Sequence, residues 1–354
     1  GPQMRPVTRP AVRRPATHPR PRPPVARRAA PGLAPLSKDV DVGPEVKRLF
    51  DTLFCVGRPA DKPCQQMAAA IERYRRTYRA PMRKWLQTKR PAKLPPTLLY
   101  PFAGGDLVSA VSAFPHQRRY VHLSLEHAGP PDPLRGLKPF QITDARWKLH
   151  YMAGLLLAHG ESFSVDLQKQ EQARLPGVLP LFLVGLRVHG GTPTGLAYVR
   201  VTPEGKLVPY TRAELSAAGP KARRLFATWK DPRYSKRFAH LELRFRLPGD
   251  KTDRRVIHLA ANLGNPGMKR APGVGRLLAS LKPRSLMIKA SSYLMWTDDF
   301  SRVRDLIFTD TRFALSDLTA PYPAWLQKRG YQVETYGKFA CITKPRLAGS
   351  ALPW

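Results

Sequence analysis

TLLYPFAGGDLVSAVSAFPHQRRYVHLSLEH, residues 97–127, is the stretch that decides the fold class. Its first part, 97–106, is an apolar run that enters a glycine-rich turn, which is typical of a buried strand and the loop after it. The next part, 107–114, predicts a short apolar helix that Pro115 ends. The last part, 118–127, predicts a second strand that closes on an acid. This β–turn–α–β succession within about 30 residues indicates a parallel crossover unit.

The rest of the chain alternates between strand-like and helix-like segments. Strands are predicted at 178–188, 196–202, 241–247 and 256–261, and helices at 145–158, 212–229, 274–280 and 299–308. Residues 191–210 predict a β-hairpin around Pro203-Glu204-Gly205. We therefore expect an α/β fold with a mixed, mainly parallel sheet and helices on both faces, similar to a Rossmann fold.

Composition divides the chain into three parts. Residues 1–38 contain nine Lys or Arg, ten Pro and no acid, which predicts a disordered basic tail. Residues 39–96 predict a helical segment, in which an amphipathic helix over 65–89 is kinked or split by Pro81. Residues 97–354 predict the α/β domain.

The strongest global signal is the positive charge. The 354 residues include 60 Lys or Arg against 25 Asp or Glu, a formal net charge of +35. Setting aside the nine cations of the tail still leaves about +26 on the other residues. The functional interpretation is a polyanionic partner, which is nucleic acid, lipid head groups or a cell-envelope polymer. The alternative is a general solubility charge with no dedicated partner. No apolar run is long enough to predict a membrane span.

Cys55 and Cys64 flank a short loop between two predicted helices. A disulfide there would join the two helices at their turn, and disulfides persist in oxidising compartments. The pair therefore predicts an extracytoplasmic protein, either periplasmic or secreted. The alternative is two unpaired thiols in a cytoplasmic protein. Cys341 lies in an apolar run and is expected to be a buried thiol.

Two groups of residues are candidates for a ligand pocket. The first is the turn after the first strand with the acid after the second: Phe102, Gly104, Gly105, Asp106 and Glu126. The second follows the apolar strand 286–288 and contains a cation and hydroxyl groups: Lys289, Ser291, Ser292 and Tyr293. Strand ends of α/β sheets collect ligands, so we expect both groups at one pocket. The alternative is a tight turn without a ligand. No residue is predicted to be catalytic, and no metal site is predicted.

Pro101-Phe102-Ala103-Gly104 resembles motif I of class I S-adenosylmethionine-dependent methyltransferases, whose versions include DPFAGxG. The resemblance implies that Gly104, Gly105 and Asp106 line S-adenosylmethionine and that Glu126 binds its ribose. Tyr100 stands where this family usually has an acid, and the second half of its glycine signature is missing. No NPPY or DPPY catalytic motif follows.

A second resemblance covers most of residues 97–340. The segments TLLYPFAGGD, LSLEHAG, GVLPLF and MIKASSYLMWTDDFSRVRD resemble an uncharacterised secreted bacterial family with YPFSGPD, GLEP and KSASYLMH motifs. Gly105 replaces a proline of that family, and Trp296 replaces a histidine. The resemblance implies a secreted α/β protein without an established activity.

These observations lead to one expected function and two alternatives. The expected function is that of a periplasmic or secreted α/β protein that binds an anionic ligand or polymer through its basic surface, without a cofactor. The first alternative is an S-adenosylmethionine-dependent methyltransferase that acts on nucleic acid or another anionic substrate. The second is a nucleic-acid-binding structural protein, which rests on charge alone.

Overall fold

A single sheet runs through the computed structural model, which describes residues 33–158, 175–218, 236–282, 284–289, 292–316, 322–336 and 339–344. In these residues the strands are β1 (Thr97–Pro101), β2 (Arg119–Ser124), β3 (Thr192–Val201), β4 (Leu207–Pro209), β5 (His240–Arg246), β6 (Arg254–Ala260), β7 (Arg284–Ile288), β8 (Thr311–Ser316), β9 (Gln332–Tyr336) and β10 (Phe339–Thr343). Their order across the sheet is β4-β3-β5-β6-β2-β1-β7-β8-β10-β9.

The parallel part of the sheet is its centre. Strands β6, β2, β1, β7 and β8 are parallel neighbours, whereas the strands outside them pair antiparallel. The predicted α/β class and mixed sheet are therefore confirmed. The prediction that the sheet is mainly parallel is wrong, because parallel pairing is confined to the five central strands and five of the nine pairings among the described strands are antiparallel. The predicted crossover unit is present as β1, a helix and β2 in parallel register, Thr97 beside Arg119.

Helices cover both faces of the sheet. The described helices are α1 (Gly43–Leu53), α2 (Lys62–Tyr74), α3 (Ala80–Lys89), α4 (Leu107–Ala113), α5 (Pro139–Leu157), α6 (Leu179–His189), α7 (Arg212–Ser216), α8 (Asn265–Arg270), α9 (Pro272–Ser280), α10 (Ser292–Trp296), α11 (Ser301–Phe308) and α12 (Ala324–Lys328). Side chains alternate across each strand, so Leu98 joins the core on the α1–α6 side and Leu99 the core on the α8–α12 side.

The helical segment before the sheet packs directly on it. The backbone N–H of Val42, just before α1, donates to the carbonyl of Leu196 in β3 at 2.8 Å. Tyr74 at the end of α2 lies 3.0 Å from the hydroxyl of Ser112 in α4. Arg244 donates to the carbonyl of Ala34, so residues 33–38, at the end of the predicted tail, include a contact with β5. Residues 1–32, where the rest of that tail was predicted, lie outside the described residues.

The strand predicted over 178–188 is wrong, because this segment is helix α6. Ten of its eleven residues are buried. A helix that is buried on all sides has no polar face, so its sequence lacks the helical period and resembles a buried strand. Gly185 allows this helix to approach α4 closely, since a Cβ there would lie 2.7 Å from the Cβ of Leu107.

Other predicted elements are present with changed bounds. The hairpin is confirmed, with β3 and β4 antiparallel and Val201 beside Leu207. The helix predicted over 65–89 is divided, since a π-helical turn at Arg75–Arg79 separates α2 from α3, and Pro81 lies in the first turn of α3. Pro81 lacks the N–H that would continue the hydrogen bonds of the helix, and the π-helical turn lies directly before it. The helix predicted over 212–229 begins as α7, and residues 219–229 lie outside the described residues.

The predicted disulfide between Cys55 and Cys64 is confirmed, with a Cα–Cα distance of 6.3 Å. It joins the end of α1 to the start of α2. The carboxylate of Asp61 caps α2 and pairs with Arg146 of α5 at 2.5 Å, which ties this turn to the rest of the fold. Cys341 is buried with a free thiol, as predicted. Among the described helices, none has both the length and the apolar character needed to cross a bilayer.

Candidate functional site

The turn after β1 has an unusual backbone. Phe102 and Gly104 both adopt positive φ, +57° and +51°. A non-glycine residue in this region costs on the order of 1–2 kcal/mol, and such strain collects at functional sites. The ring of Phe102 packs edge-on against Phe300 at 5.4 Å, which helps to hold the conformation. Gly105 lets α6 approach the turn, because a Cβ there would lie 2.5 Å from the Cβ of Leu181.

Asp106 ends this turn and is the centre of a buried polar cluster. It is 1% exposed, and its Oδ1 accepts the backbone N–H of Ser109 at 2.9 Å, which caps α4. Its Oδ2 accepts the hydroxyl of Tyr100 at 3.0 Å and the ammonium of Lys289 at 2.9 Å. The Lys289 ammonium also donates to the Ser109 hydroxyl at 3.0 Å. Tyr100, the departure from the methyltransferase motif, is thus a hydrogen-bond partner of Asp106.

The fold explains why residues 183 positions apart meet. Strands β1 and β7 are parallel neighbours, so their carboxyl ends lie side by side. Lys289 is the first residue after β7, and Asp106 lies in the turn after β1. Burial on its own would raise the pKa of Asp106, but the charge and hydrogen bond of Lys289, together with Ser109, outweigh it and keep that pKa below its usual value. Asp106 is therefore ionised at neutral pH.

Glu126 follows β2, the other neighbour of β1, and differs from Asp106 in having no partner. It is 3% exposed, yet neither carboxylate oxygen has a hydrogen-bond partner among the described residues. The carboxylate lies against the glycine turn, because a Cβ on Gly104 would be 3.9 Å from Oε1 of Glu126. A buried carboxylate without donors costs free energy. The arrangement therefore provides an acceptor for which the described residues supply no donor.

Four packed rings lie at the carboxyl ends of the central strands, and one of them, His258, contacts the backbone of Glu126. Tyr100, His122 and His258 are register neighbours on β1, β2 and β6, and Phe182 of α6 contacts both histidine rings. Nε2 of His258 donates to the backbone carbonyl of Glu126 at 2.9 Å, which positions that residue. Burial lowers the pKa of His122 to about 4 and that of His258 to about 3, so both rings are neutral at pH 7.

A cavity of about 460 Å³ opens at the carboxyl ends of β2 and β6, and Glu126 is not among its lining residues. Leu125, the neighbour of Glu126, lines it together with Ala261, Asn262, Pro203 and His240. Nδ1 of His240 accepts the backbone N–H of Ala260 at 3.0 Å, so the ring carries its proton on Nε2. Burial lowers the pKa of His240 to about 4. The cavity therefore combines apolar walls with a neutral ring donor, the amide of Asn262 and the cation Arg270.

The structure joins the two predicted groups of site residues in part. It brings Asp106 to Lys289, and Gly104 to Glu126, at one edge of the sheet. Ser291 lies outside the described residues. Ser292 and Tyr293 open helix α10, and their side chains lie outside the described part as well.

Two histidines at this edge were not predicted as site residues. His258 supports Glu126, and His240 lines the cavity. Both lie in or beside segments that were predicted as strands, but only the strand order shows that β6 is next to β2. The missing information was therefore the sheet topology, for which a single sequence has no signal.

Comparison of the chain with protein-family models, with curated proteins and with solved structures gave no match.

Proposed function

We propose that this protein binds a nucleoside-type ligand, that is, a base joined to a sugar with adjacent hydroxyl groups, at the carboxyl edge of its parallel strands. The observation that carries the proposal is the buried, partnerless carboxylate of Glu126 beside Gly104. Ribose hydroxyls are donors that such a carboxylate lacks. In nucleotide-binding α/β folds, an acid about 20 residues after the glycine turn holds the ribose in this way.

The strand order supports a ligand at this edge. In chain order the parallel strands are β1, β2, β6, β7 and β8, and in space β1 lies in the middle with β2 and β6 on one side and β7 and β8 on the other. This is the order of a Rossmann-like sheet, whose ligands bind where the order reverses. The class I methyltransferases that the glycine turn resembles share this order and, like this chain, have a reversed strand beside the fifth parallel strand, here β10 between β8 and β9.

The turn itself favours a nucleoside over a dinucleotide. In dinucleotide-binding folds a pyrophosphate lies at the start of the first helix. Here the carboxylate of Asp106 already accepts the backbone N–H of Ser109 at the start of that helix, so this N–H is not available to a phosphate. The cavity of about 460 Å³ at the carboxyl ends of β2 and β6, which Leu125 lines, is large enough for a base.

The Cys55–Cys64 disulfide supports an extracytoplasmic location, because disulfides persist mainly in oxidising compartments. S-adenosylmethionine is not expected there, so the proposal is ligand binding and does not require methyl transfer. The ligand panel must therefore include free nucleosides as well as S-adenosylmethionine.

The test compares adenosine with 2′,3′-dideoxyadenosine by calorimetric titration of the full chain. The two ligands differ only in the 2′ and 3′ hydroxyl groups, whose hydrogen bonds the Glu126 carboxylate would accept. A hydrogen bond to a charged group contributes about 1.5–3 kcal/mol, so adenosine should bind about 10- to 150-fold more tightly. In Glu126→Gln this ratio should shrink, because the amide is a weaker acceptor than the carboxylate.

Glu242→Gln is the matched control. Glu242 is buried like Glu126, but it pairs with Arg244 at 2.9 Å and Arg255 at 3.3 Å, on β5 and β6. The control should retain the preference for adenosine. S-adenosylmethionine and S-adenosylhomocysteine extend the series, and tighter binding than adenosine would support the methyltransferase alternative. Equal affinity for adenosine and its dideoxy analogue, or no binding of any of these ligands at millimolar concentration, would refute the proposal.

A further inference from the structure

Four arginines of the π-helical turn and α3, including the residue that ends α3, reach the ends of two other helices. Arg75 donates to the carbonyl of Val188 at 2.8 Å, and Arg79 to the same oxygen at 3.3 Å, at the end of α6. At the end of α4, Arg83 donates to the carbonyls of Ser112 and Val111 at 3.1 and 3.3 Å, and Arg90 to that of Ala113 at 3.1 Å. We call Arg75, Arg79, Arg83 and Arg90 the arginine ridge.

The ridge holds positive charge that its surroundings do not neutralise. Among the described residues, no carboxylate lies within ion-pair distance of Arg79, Arg83 or Arg90, and Arg75 has only the exposed Glu72 at 3.5 Å. The two helix ends offset only about half a charge each. Burial lowers the pKa of Arg83, and the charges of Arg79 and Arg90 lower it further. The guanidinium groups are therefore close enough to repel one another.

The same contacts keep the guanidinium groups in place. Each group has five N–H donors, and the bonds to backbone carbonyls use only one or two of them. Arg79, Arg83 and Arg90 are partly exposed, so free donors are accessible to solvent. A fixed guanidinium binds phosphate through two parallel hydrogen bonds with little loss of side-chain entropy.

The ridge is linear. Residues 75–90 follow a helical path, which at 1.5 Å per residue extends about 22 Å. Two further basic residues within this path are exposed, Arg76 and Lys84, and the exposed Arg73 precedes it in α2. A line of cations of this length suits a chain of negative charges better than a single small anion.

We propose that the arginine ridge binds a linear phosphodiester polymer. This goes beyond the nucleoside proposal and does not depend on it, because the ridge lies where α4 ends before β2 begins, whereas Glu126 lies where β2 has ended. The interaction is electrostatic, so its affinity falls as the salt concentration rises. The reason is that binding releases counterions from the polymer, and this release is less favourable in concentrated salt. The proposal also assigns part of the net positive charge of the chain to a defined surface.

The test measures binding of two fluorescent polymers, an oligothymidylate and a poly(glycerol phosphate) chain, to the full chain over a range of salt concentrations. Arg79→Gln/Arg83→Gln removes two charges from the ridge, while an amide can still donate to a carbonyl. For single strands each phosphate contact contributes about 0.7 to the slope of log affinity against log salt, so the slope should fall by about 1.4. Arg302→Gln/Lys328→Gln removes two exposed cations from α11 and α12 and should leave the slope unchanged.

The polymer that loses more affinity in the ridge variant identifies the source of the phosphodiester, and either result supports the proposal. If both double variants lower the slope equally, the binding is due to general surface charge and the proposal is wrong. It is also wrong if heparin, a sulfated polysaccharide, depends on the ridge as strongly as the phosphodiesters do. Thermal unfolding checks that each variant is folded. If the ridge pair unfolds, Arg79→Gln alone should lower the slope by about 0.7.

Discussion

Replacing Glu126 by glutamine in the protein without ligand should make the fold more stable. The side chain is 3% exposed and its two oxygens have no partner among the described residues, so the folded state bears the cost of a dehydrated carboxylate. An unsatisfied buried polar group costs about 1–3 kcal/mol, and a charged one more. Glutamine keeps the shape and removes the charge, so we expect the free energy of unfolding to rise by about 1–2 kcal/mol. For a chain of this size that corresponds to an increase in Tm of roughly 1–3 °C.

The assay is urea unfolding followed by tryptophan fluorescence, with Glu242→Gln alongside. Glu242 has two arginine partners, so the same substitution there should lower the free energy of unfolding. Opposite signs at the two positions would show that Glu126 is kept at a cost to stability, as is common for ligand-binding groups. If Glu126→Gln destabilises the fold as much as Glu242→Gln does, protein groups hold the Glu126 carboxylate. The argument for a ligand would then fail.

Three further predictions concern other parts of the fold. Lys289→Met leaves Asp106 buried without its cation, so the free energy of unfolding should fall by about 3–5 kcal/mol, and adding Asp106→Asn should restore most of it in urea titrations. His189 has a pKa of about 3 because it is buried, below its value near 6.5 in the unfolded chain, so its contribution to stability is complete above pH 6.5 and is lost as the pH falls towards 3. The loss of stability from pH 7 to 4.5 should therefore be smaller in His189→Gln, and urea midpoints that fall equally in both proteins would contradict this. Reducing the Cys55–Cys64 disulfide should lower the free energy of unfolding by about 2–3 kcal/mol, and alkylation before and after reduction confirms that the bond was present.

The local part of the fold and of the site could be predicted from the sequence. The crossover unit is encoded within residues 97–127, where an apolar run, a glycine turn, a short helix and a second run follow one another. Because the two strands of such a unit are parallel neighbours, the turn at Gly104 and the acid at Glu126 had to come to the same edge. The disulfide could be predicted for the same reason, since its cysteines are nine positions apart.

The non-local part could not be predicted. Asp106 and Lys289 were both expected in a pocket, but their pairing depends on β7 lying next to β1, and strand order leaves no local mark in one sequence. The sequence of helix α6 predicts a strand because burial on every side removes the polar face that marks a helix. The position of the cavity depends on β6 lying next to β2, with the β3–β4 hairpin beside it.

The net charge is the part of the composition that predicts a polyanionic partner least reliably. Several arginines of this chain donate hydrogen bonds to the carbonyl groups at the ends of helices. Arg284 is fully buried and donates to the carbonyls of Leu278, Leu306 and Ile307, at the ends of α9 and α11. Such a guanidinium satisfies carbonyl groups that helix ends leave without partners. It adds to the net charge of +35 and yet has no donor left at the surface. The net charge therefore overstates the number of cations that are accessible to a polyanion. The arginine ridge differs because its side chains are half-exposed as well as bonded, so salt dependence measured position by position can separate cations that bind from cations that only support the fold.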